Sequence, residues 1–365
     1  MTSRVAYRLT ALALALIAGM APSGRACSTF LLPHHDGMVF GKNYDAMAKG
    51  GYLMVNHRNV AKTALFVSGA GGASWVSKYG SITFNQVSKE YPFGGMNEAG
   101  LIVEIMWLEG TAYPDPDSRA PVPELQWIQY VLDNCESVDE VISTDESIRI
   151  AKGGFPVHFF VADRSGKAGT IDFVDKKMVS HTGAALVVPA LTNHTYDASL
   201  EYLGQHQGFG GRKAITRSYD SLDRFVIVAS MLKDRGALRR ASPVDYAFRI
   251  LDAAAQGEGT VWSTVYEMKE RKILFKTVGN KETRIVSMND FDFGCDAPAL
   301  ALDLEAPVTG DVSARFEPYS TELNRKLVTA TFARYREVGF MDLPAGAQAY
   351  LARYPEMAEC RQSER

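Results

Sequence analysis

The sequence has few of the residues that commonly bind metals, with four cysteines and seven histidines among 365 residues. The histidines are scattered, and none has the HxxxH or Cys/His spacing of a zinc site. The GxSxG pattern of a serine-hydrolase elbow is absent. The glycine-rich segment at residues 69–75 lacks the GK(S/T) ending of a phosphate-binding loop, and no helical pattern follows it. We therefore expect neither a metal nor a cofactor.

The sequence also lacks an excess of positive charge and a long apolar run. The formal net charge is −3, and residues 1–26 carry three arginines and no acid, so the rest of the chain carries about −6. This balance offers no basic surface for a phosphate backbone, and we do not expect nucleic acid as a partner. The apolar stretch at residues 9–20 is too short to span a bilayer comfortably, which argues against stable membrane insertion.

Residues 1–26 have the layout of a secretory signal peptide. A short basic region precedes the apolar stretch, and the sequence APSGRA follows it. Gly24 and Ala26 occupy the small-residue positions that a signal peptidase reads, which predicts cleavage between Ala26 and Cys27. An uncleaved anchor and a lipid-bearing Cys27 remain as alternatives, although the residues before Cys27 fit a lipoprotein signal poorly. We expect an exported protein, located in the periplasm.

The four cysteines of an exported chain suggest disulfides on general grounds. Cys135 lies in the amphipathic run ELQWIQYVLDNCESVDEVI, which indicates a buried helical residue. Cys295 and Cys360 could pair in an oxidising compartment. Cys27 stands apart from the other three because it follows the predicted cleavage site.

Strand-like runs separated by turn signals dominate the chain up to about residue 122. CSTFLL and MVFGKN are joined by a turn containing Asp36 and Gly37, which predicts a hairpin that brings Asp45 to Cys27. Because turns rather than crossover helices join the strand runs, we expect an α+β layered architecture. One domain is expected over residues 27–288, with a C-terminal extension at 289–365. Helical spacing is found at about residues 123–142, 195–203, 218–232, 242–255 and 320–338.

A cysteine at a newly formed N-terminus can supply both a nucleophile and a base. Its α-amino group, with a pKa of about 7.7–8.0, can accept the proton of its own thiol, whose pKa is about 8.5. No histidine is then needed. Such a residue is suited to attack an amide carbonyl and form an acyl-enzyme that water hydrolyses. The alternative is that Cys27 merely follows the cleavage site.

Four further residues are candidates to assist Cys27. In GKNYD, Lys42 could lower the pKa of the thiol, and Asp45 could orient the amine or the thiol. Asn193 follows a long apolar strand and could aim its amide at a developing oxyanion. Arg224 lies in the first turn of a predicted helix, where the macrodipole disfavours a cation, so an anionic partner would explain it. The ordinary alternatives are exposed strand ends, a helix N-cap and an exposed pair with a neighbouring aspartate.

Five segments follow one another in a recognisable order and spacing: CSTF at the processed terminus, GKNYD, GGMNEAGLIVEIMWL, LTN with TYD, and DSLDRFV. Together they resemble the choloylglycine hydrolase and penicillin V acylase family of N-terminal nucleophile hydrolases, from Cys27 to about Met288. The resemblance implies an αββα sandwich of two antiparallel sheets between helix layers. It also implies hydrolysis of linear amide C–N bonds without a cofactor, and assembly as a homodimer or tetramer.

The resemblance assigns a role to each candidate residue. Cys27 corresponds to the nucleophile and Asp45 to the neighbouring carboxylate. Asn193 corresponds to an oxyanion-hole amide and Arg224 to the arginine near the thiol. The LTNHTYD segment that contains Asn193 is one residue shorter than the usual form.

Two positions depart from the family pattern. Lys42 stands where many members have arginine, which keeps the charge but loses the bidentate fork. Trp107 stands where bile-salt hydrolases have a second oxyanion-hole asparagine, and its side chain would wall an acyl pocket. The ordinary alternative for Trp107 is a core residue.

The leading hypothesis is therefore a hydrolase that cleaves a linear amide of a small N-acyl substrate. The classes considered are a penicillin with a phenoxyacetyl chain, a conjugated bile salt, an N-acyl homoserine lactone and an N-acyl amino acid. Trp107 favours an aromatic or lipid acyl group over a bile salt. The alternative hypothesis is a non-catalytic periplasmic or lipid-anchored binding protein with the same fold.

Overall fold

The computed structural model describes residues 26–35, 37–65, 71–151 and 154–361. The predicted signal peptide, residues 1–26, lies outside the described residues except for Ala26. Within the described part of the chain, no helix combines the length and apolar character needed to cross a bilayer. The dominant feature is a pair of large β-sheets.

The first sheet has seven strands in the order β14-β1-β2-β15-β16-β17-β19. Its neighbouring strands are antiparallel except for the parallel pair of β17 and β19. The strands are β1 Ser28–His34, β2 Gly37–Asp45, β14 Ala190–Leu191, β15 Thr260–Glu267, β16 Lys272–Thr277, β17 Arg284–Ser287 and β19 Gly310–Asp311.

The second sheet has nine strands in the order β13-β12-β11-β8-β7-β6-β3-β18-β20, all antiparallel to their neighbours. Its strands are β3 Tyr52–Asn56, β6 Ser81–Asn85, β7 Gly94–Asn97, β8 Ile102–Trp107, β11 Val157–Ala162, β12 Ala168–Val174, β13 Lys177–Thr182, β18 Leu300–Asp303 and β20 Glu317–Pro318. Two small sheets pair β9 Ala120–Pro123 with β10 Ile148–Ala151, and β4 Val60–Thr63 with β5 Ser74–Val76 and β21 Glu359–Cys360.

The helices cover the outer faces of the two large sheets. Helices α4 and α6 pack on the first sheet against β1 and β2, and α1 and α2 pack on the second sheet. The described helices are α1 Glu124–Asn134, α2 Val138–Ser143, α3 Tyr196–Leu203, α4 Ser221–Lys233, α5 Arg235–Leu238, α6 Pro243–Ala254, α7 Thr321–Glu337 and α8 Ala345–Arg353.

Aromatic side chains from both sheets fill the space between them. Phe40 of the first sheet lies 5.4 Å from Phe160 of the second, measured between ring centroids. Phe84 and Trp262 stack across the same space at 5.7 Å. Strand β1 is buried at its first five positions because both faces of the sheet are covered there. A strand covered on both faces has a nearly continuous apolar sequence instead of an alternating one. The structure confirms the predicted α+β class and the αββα sandwich.

Two local predictions differ from the structure. The helix expected over residues 123–142 is broken between α1 and α2, because Cys135 adopts an extended backbone and Ser137 caps a new helix by accepting from the Glu140 N–H. Cys135 is buried just beyond α1 rather than within it. In the first hairpin His34 pairs with Gly37, so the turn lies one residue earlier than expected. Its second turn residue, Asp36, is outside the described residues.

Residues 289–365 contribute to several parts of this architecture. Strands β18 and β20 extend the second sheet, β19 extends the first, and β21 pairs with β4. A disulfide joins Cys295 to Cys360, with the two Cα atoms 5.4 Å apart. The segment is therefore tied to both large sheets.

Candidate active site

Cys27 lies immediately before β1 and is 3% exposed. Ser28 pairs with Asn43 of β2, so the antiparallel register puts Cys27 opposite Tyr44. Asp45, which the predicted hairpin brings to Cys27, is the next residue of β2. The backbone N–H of Asp45 donates a hydrogen bond to the Cys27 sulfur.

A β-bulge lies beside Asp45 on the other edge of β2. Thr260 pairs with Asp45 and Trp262 pairs with Tyr44, so Val261 is an extra residue in β15. Bulges bend a strand and change the direction of nearby side chains. This bulge ends the regular pairing at the point where Asp45 leaves the sheet.

Arg224 connects the start of α4 to the start of β1. Its Nη1 donates to the Cys27 carbonyl and to the Ser28 hydroxyl, both at 2.6 Å, and its Nη2 donates to Oδ1 of Asn193 at 2.8 Å. The side chain is fully buried, so the alternative of an exposed ion pair is wrong. Among the acidic groups, Asp45 contributes most to keeping Arg224 charged. Arg224 thus hydrogen-bonds to Cys27 and Asn193 and interacts electrostatically with Asp45.

The side chain of Asn193 is held at both ends. Its Oδ1 accepts from Arg224, and its Nδ2 donates to the Trp107 carbonyl at 2.7 Å. An amide nitrogen carries two N–H bonds, and the Trp107 carbonyl takes one of them. The N-cap of α3 is Thr195, which accepts from the Ala198 N–H, so the ordinary alternative of an Asn193 cap is wrong.

Lys42 is buried beneath the site instead of facing the cavity. Its Nζ donates to the Ile105 carbonyl and lies 3.9 Å from Oε2 of Glu104. Oε1 of Glu104 accepts from the Tyr266 hydroxyl at 2.5 Å. The carboxylate has room because Gly94 is opposite, where a Cβ would meet Oε2 at 2.2 Å. Glu104 is absent from the sequence predictions, yet a lone acid inside the apolar strand GLIVEIMWL is a signal for it.

Burial and charge act in opposite directions on the Cys27 thiol. Burial raises its pKa, and the Asp45 carboxylate raises it further. The positive charges of Lys42 and Arg224 and the hydrogen bond from the Asp45 backbone all lower it. The surrounding groups therefore partly offset the cost of forming a buried thiolate.

The two buried carboxyl groups near Cys27 also have shifted acidities. Burial raises the pKa of Asp45 to about 6, against the opposing charge of Arg224. Burial raises the pKa of Glu104 to about 7, although the charge of Lys42 and the hydrogen bond from Tyr266 oppose the shift. Both groups titrate near neutral pH, where carboxyl groups in water are fully ionised.

A narrow, largely apolar cavity of about 50 Å³ opens at Cys27. Asp45 and Trp107 contribute to its lining, whereas Lys42, Asn193 and Arg224 are not among its lining residues. Apolar walls with a few polar groups are typical of small-molecule pockets. The other lining residues are Tyr44, Ala46, Met47, Phe93, Ile105, Phe155, Val157, Tyr335 and Phe340.

Among the described residues, the group of side chains close enough to share a metal ion is Cys295, Asp296 and Cys360. Two of the three form the disulfide, and none lines the cavity at Cys27. The chemistry available at the cavity is that of a buried thiol, a carboxyl group, a guanidinium and an amide.

Comparison with known proteins places this chain in a family. Residues 27–233 match the linear amide C–N hydrolases of the choloylglycine hydrolase family. The match covers more than half of the chain, and the chain belongs to that family. It is a linear amide C–N hydrolase of the penicillin V acylase and bile salt hydrolase type.

Individual relatives are distant in sequence. The chain is 26% identical over 298 residues to the penicillin V acylase of Pectobacterium atrosepticum, an alignment that covers 68% of this chain and 79% of the relative. The structure of penicillin V acylase from Agrobacterium tumefaciens superposes with a TM-score of 0.69 at 22% identity, over 80% of this chain and 98% of that one. A conjugated bile acid hydrolase variant from Clostridium perfringens gives a TM-score of 0.61 at 19% identity, over 73% and 94% of the two chains. These two structures share the fold.

Proposed function

We propose that the mature protein begins at Cys27, is exported to the periplasm and hydrolyses a linear amide bond of an N-acyl substrate through this residue. The observation that carries the proposal is the position of the Cys27 sulfur. It borders an apolar cavity and accepts from the Asp45 backbone, while Arg224 and Lys42 supply positive charge nearby. Membership of a family that acts on linear amides supports the reaction class.

In the proposed acylation step, the free α-amino group of Cys27 takes the thiol proton and the sulfur attacks the amide carbonyl carbon. A C–S bond forms while the carbonyl electrons move to oxygen, and the Asn193 amide is the proposed donor to this oxyanion. The C–N bond then breaks, and the ammonium returns its proton to the leaving amine. The Asp45 carboxylate orients the amine and balances its charge.

In the proposed deacylation step, a water molecule gives a proton to the same amine and attacks the thioester carbonyl. The C–S bond breaks, the ammonium returns its proton to the sulfur, and the carboxylic acid leaves, so the thiol and the neutral amine are restored. Arg224 positions Cys27 and Asn193 in both steps, because it holds the Cys27 carbonyl and the Asn193 side chain together. One residue thus supplies the nucleophile and the proton carrier.

The walls of the cavity support an apolar acyl group. Phe93, Trp107 and Phe155 supply aromatic surface, and Asp45 is the acidic residue in the lining. We propose an acyl group with an aromatic ring or an aliphatic chain, as in a phenoxyacetyl or fatty-acyl amide. A homodimer or tetramer is the proposed assembly.

The test combines mass measurement with a substrate panel. The expected mature mass starts at Cys27, and the protein should hydrolyse one or more of four classes: a phenoxyacetyl penicillin, a conjugated bile salt, an N-acyl homoserine lactone and an N-acyl amino acid. Cys27→Ala should abolish turnover while leaving the far-ultraviolet circular dichroism spectrum unchanged. The matched control is Cys135→Ala, which removes the other free cysteine and should retain activity.

Three outcomes would contradict the proposal. They are activity in a chain that starts before Cys27, activity in Cys27→Ala, and no hydrolysis of any panel member by the mature protein. A mature mass that carries acyl chains on Cys27 would instead support the lipid-anchored binding protein.

A further inference from the structure

The cavity at Cys27 has a wall that comes from outside the matched family region. The family match ends at residue 233, whereas Tyr335 and Phe340 line the cavity together with Cys27. Tyr335 lies in the last turns of α7, and Phe340 follows the end of this helix. Part of the acyl site is therefore built by the C-terminal segment.

Helix α7 is fixed to the body of the protein by buried polar contacts. Asn324 is fully buried, accepts from the Lys89 backbone N–H at 2.9 Å and donates to the Ala352 carbonyl at 2.9 Å. One turn from the cavity, the Thr331 hydroxyl donates to the Gln86 carbonyl at 2.5 Å. Burial makes such hydrogen bonds costly to lose, so the helix holds its end in a defined position.

The end of α7 determines where Phe340 lies. Gly339 has a φ of +66°, a left-handed conformation that glycine adopts without strain. The Gly339 N–H donates to the Arg336 carbonyl and the Phe340 N–H donates to the Tyr335 carbonyl, which together form a Schellman motif. This motif turns the chain back, so Phe340 packs on Tyr335 with ring centroids 5.0 Å apart.

Phe340 also separates two cavities. Its ring lies 5.7 Å from Trp107 and 5.6 Å from Phe155, measured between centroids. These three residues line both the cavity at Cys27 and a second, larger cavity of about 1020 Å³. Trp107, Phe155 and Phe340 therefore form an aromatic partition between the smaller and the larger cavity.

We infer that Phe340 is a specificity-determining residue that limits the length of the acyl group bound at Cys27. This inference rests on the proposed function, because it assigns the cavity to the acyl half of the substrate. The space in front of the partition, about 50 Å³, suits a short acyl group. A longer fatty-acyl chain would have to pass between Phe340, Trp107 and Phe155 into the larger cavity. Removing the Phe340 ring opens this path.

The first experiment measures kcat/KM for amides of one amine with acyl chains from six to fourteen carbons, together with a phenoxyacetyl amide. In Phe340→Ala we expect the ratio of dodecanoyl to hexanoyl kcat/KM to rise about tenfold or more, because the longer chain can then bury additional methylene groups. The matched control is Phe316→Ala, which truncates a partly buried ring of the same C-terminal segment that packs on Phe291. The control should keep the wild-type ratio. An unchanged ratio in an active Phe340→Ala protein would overturn the inference.

A second experiment keeps the inference separate from the proposed function. The free fatty acids of the same chain lengths are titrated into Cys27→Ala and into Cys27→Ala with Phe340→Ala, and Kd is measured by calorimetry. The inference predicts that the chain length with the lowest Kd increases when Phe340 is truncated, whether or not any amide is hydrolysed. An identical chain-length preference in the two proteins would overturn it. Absence of turnover in the wild-type protein would contradict only the proposed function.

Discussion

At the scale of single residues, the buried pair of Lys42 and Glu104 is the charge arrangement directly beneath Cys27. Glu104 is buried opposite Gly94 and accepts a hydrogen bond from Tyr266, and its partner Lys42 is fully buried. Buried ion pairs are costly unless hydrogen bonds satisfy both groups. Here Lys42 donates to the Ile105 carbonyl and Glu104 accepts from the Tyr266 hydroxyl. The charge of Lys42 lowers the pKa of the Cys27 thiol, and the same charge opposes the rise in the pKa of Glu104.

The ionisation of Glu104 should make stability depend on pH. Its pKa is about 7 in the folded protein, above its usual value of about 4.3 in an unfolded chain. The folded state therefore binds this proton more tightly, and the stabilisation is complete below about pH 4 and is lost as pH rises through 7. Relative to Glu104→Gln, the free energy of unfolding of the wild-type protein should fall by roughly 3 kcal/mol between pH 4 and pH 8.

Urea denaturation at one-unit pH intervals checks this difference, and Glu270→Gln is the exposed control that should follow the wild-type curve. Asp45 also titrates near pH 6, but it is present in all three proteins, so its contribution cancels in the comparison. Parallel curves for wild type and Glu104→Gln would show that Glu104 does not ionise in this range.

Asn193 allows a test of the proposed oxyanion contact. Asn193→Ala should lower kcat by about 10²- to 10³-fold, the loss usual for one oxyanion donor, because the interaction is made in the transition state. Its effect on KM should be small. Alkylation of Cys27 by iodoacetamide should proceed at the wild-type rate, since no oxyanion forms in that reaction. A raised KM with an unchanged kcat would instead indicate that Asn193 acts in substrate binding, by positioning the Trp107 segment whose carbonyl it contacts.

Which residues surround Cys27 could be predicted from sequence only in part. The hairpin register leads directly to Asp45, because pairing of adjacent strands depends on a short turn. The contacts of Arg224 and Asn193 join segments about 200 and 170 residues away from Cys27 in the chain. Their residue types made them candidates, but only the family resemblance placed them beside Cys27. Glu104 was missed because an acid in an apolar strand has no predicted partner until the facing strand is placed.

At the scale of secondary-structure elements, the hairpin of β1 and β2 carries both Cys27 and Asp45. Gly41 of β2 lies opposite Phe30 of β1, and the Phe30 ring covers it so closely that a Cβ would meet the ring at 2.3 Å. The ring is fully buried and has little room to move. The fit of these two strands therefore depends on the absence of a side chain at position 41.

Gly41→Ala should disturb this hairpin. The overpacked methyl group should lower the free energy of unfolding by about 1–3 kcal/mol. It should also lower kcat/KM at temperatures where the protein is still folded, because the displaced strand carries Asp45. Gly346→Ala is the control: a Cβ at Gly346, in α8, meets no atom within 4 Å, so its stability and activity should be unchanged or slightly higher. Normal activity and stability in Gly41→Ala would contradict the close contact.

The elements also show where sequence patterns mislead. The apolar spacing across residues 123–142 continues through the break between α1 and α2, because both helices bury the same kind of face. The break comes from the extended backbone at Cys135 and the Ser137 cap. A serine within an amphipathic run can either continue the helix or cap a new one, and the apolar spacing is the same in both cases. Periodicity alone therefore could not place the boundary.

At the scale of the whole molecule, the segment after residue 288 links the two large sheets to the cavity at Cys27. Its strands pair with β3 and β17, and Tyr335 of its helix α7 and Phe340 just after this helix form part of the cavity wall. The disulfide between Cys295 and Cys360 closes a loop with a sequence separation of 65 residues that contains α7 and α8. The covalent link therefore surrounds the part of the segment that reaches the cavity.

Loss of this disulfide should weaken the whole fold. A cross-link that closes a loop of this size restricts the unfolded chain, so the double variant Cys295→Ser with Cys360→Ser should lose about 2–4 kcal/mol of unfolding free energy. Urea denaturation measures this loss. Dithiothreitol should destabilise the wild-type protein by a similar amount and should not affect the double variant, which controls for effects of the reductant on other cysteines. If the bond also keeps α7 and Phe340 in place, the double variant should show a raised KM for short-chain amides before it loses circular dichroism on heating. If dithiothreitol leaves the unfolding free energy of the wild-type protein unchanged, and every cysteine reacts as a free thiol without reduction, the two cysteines are not paired in solution.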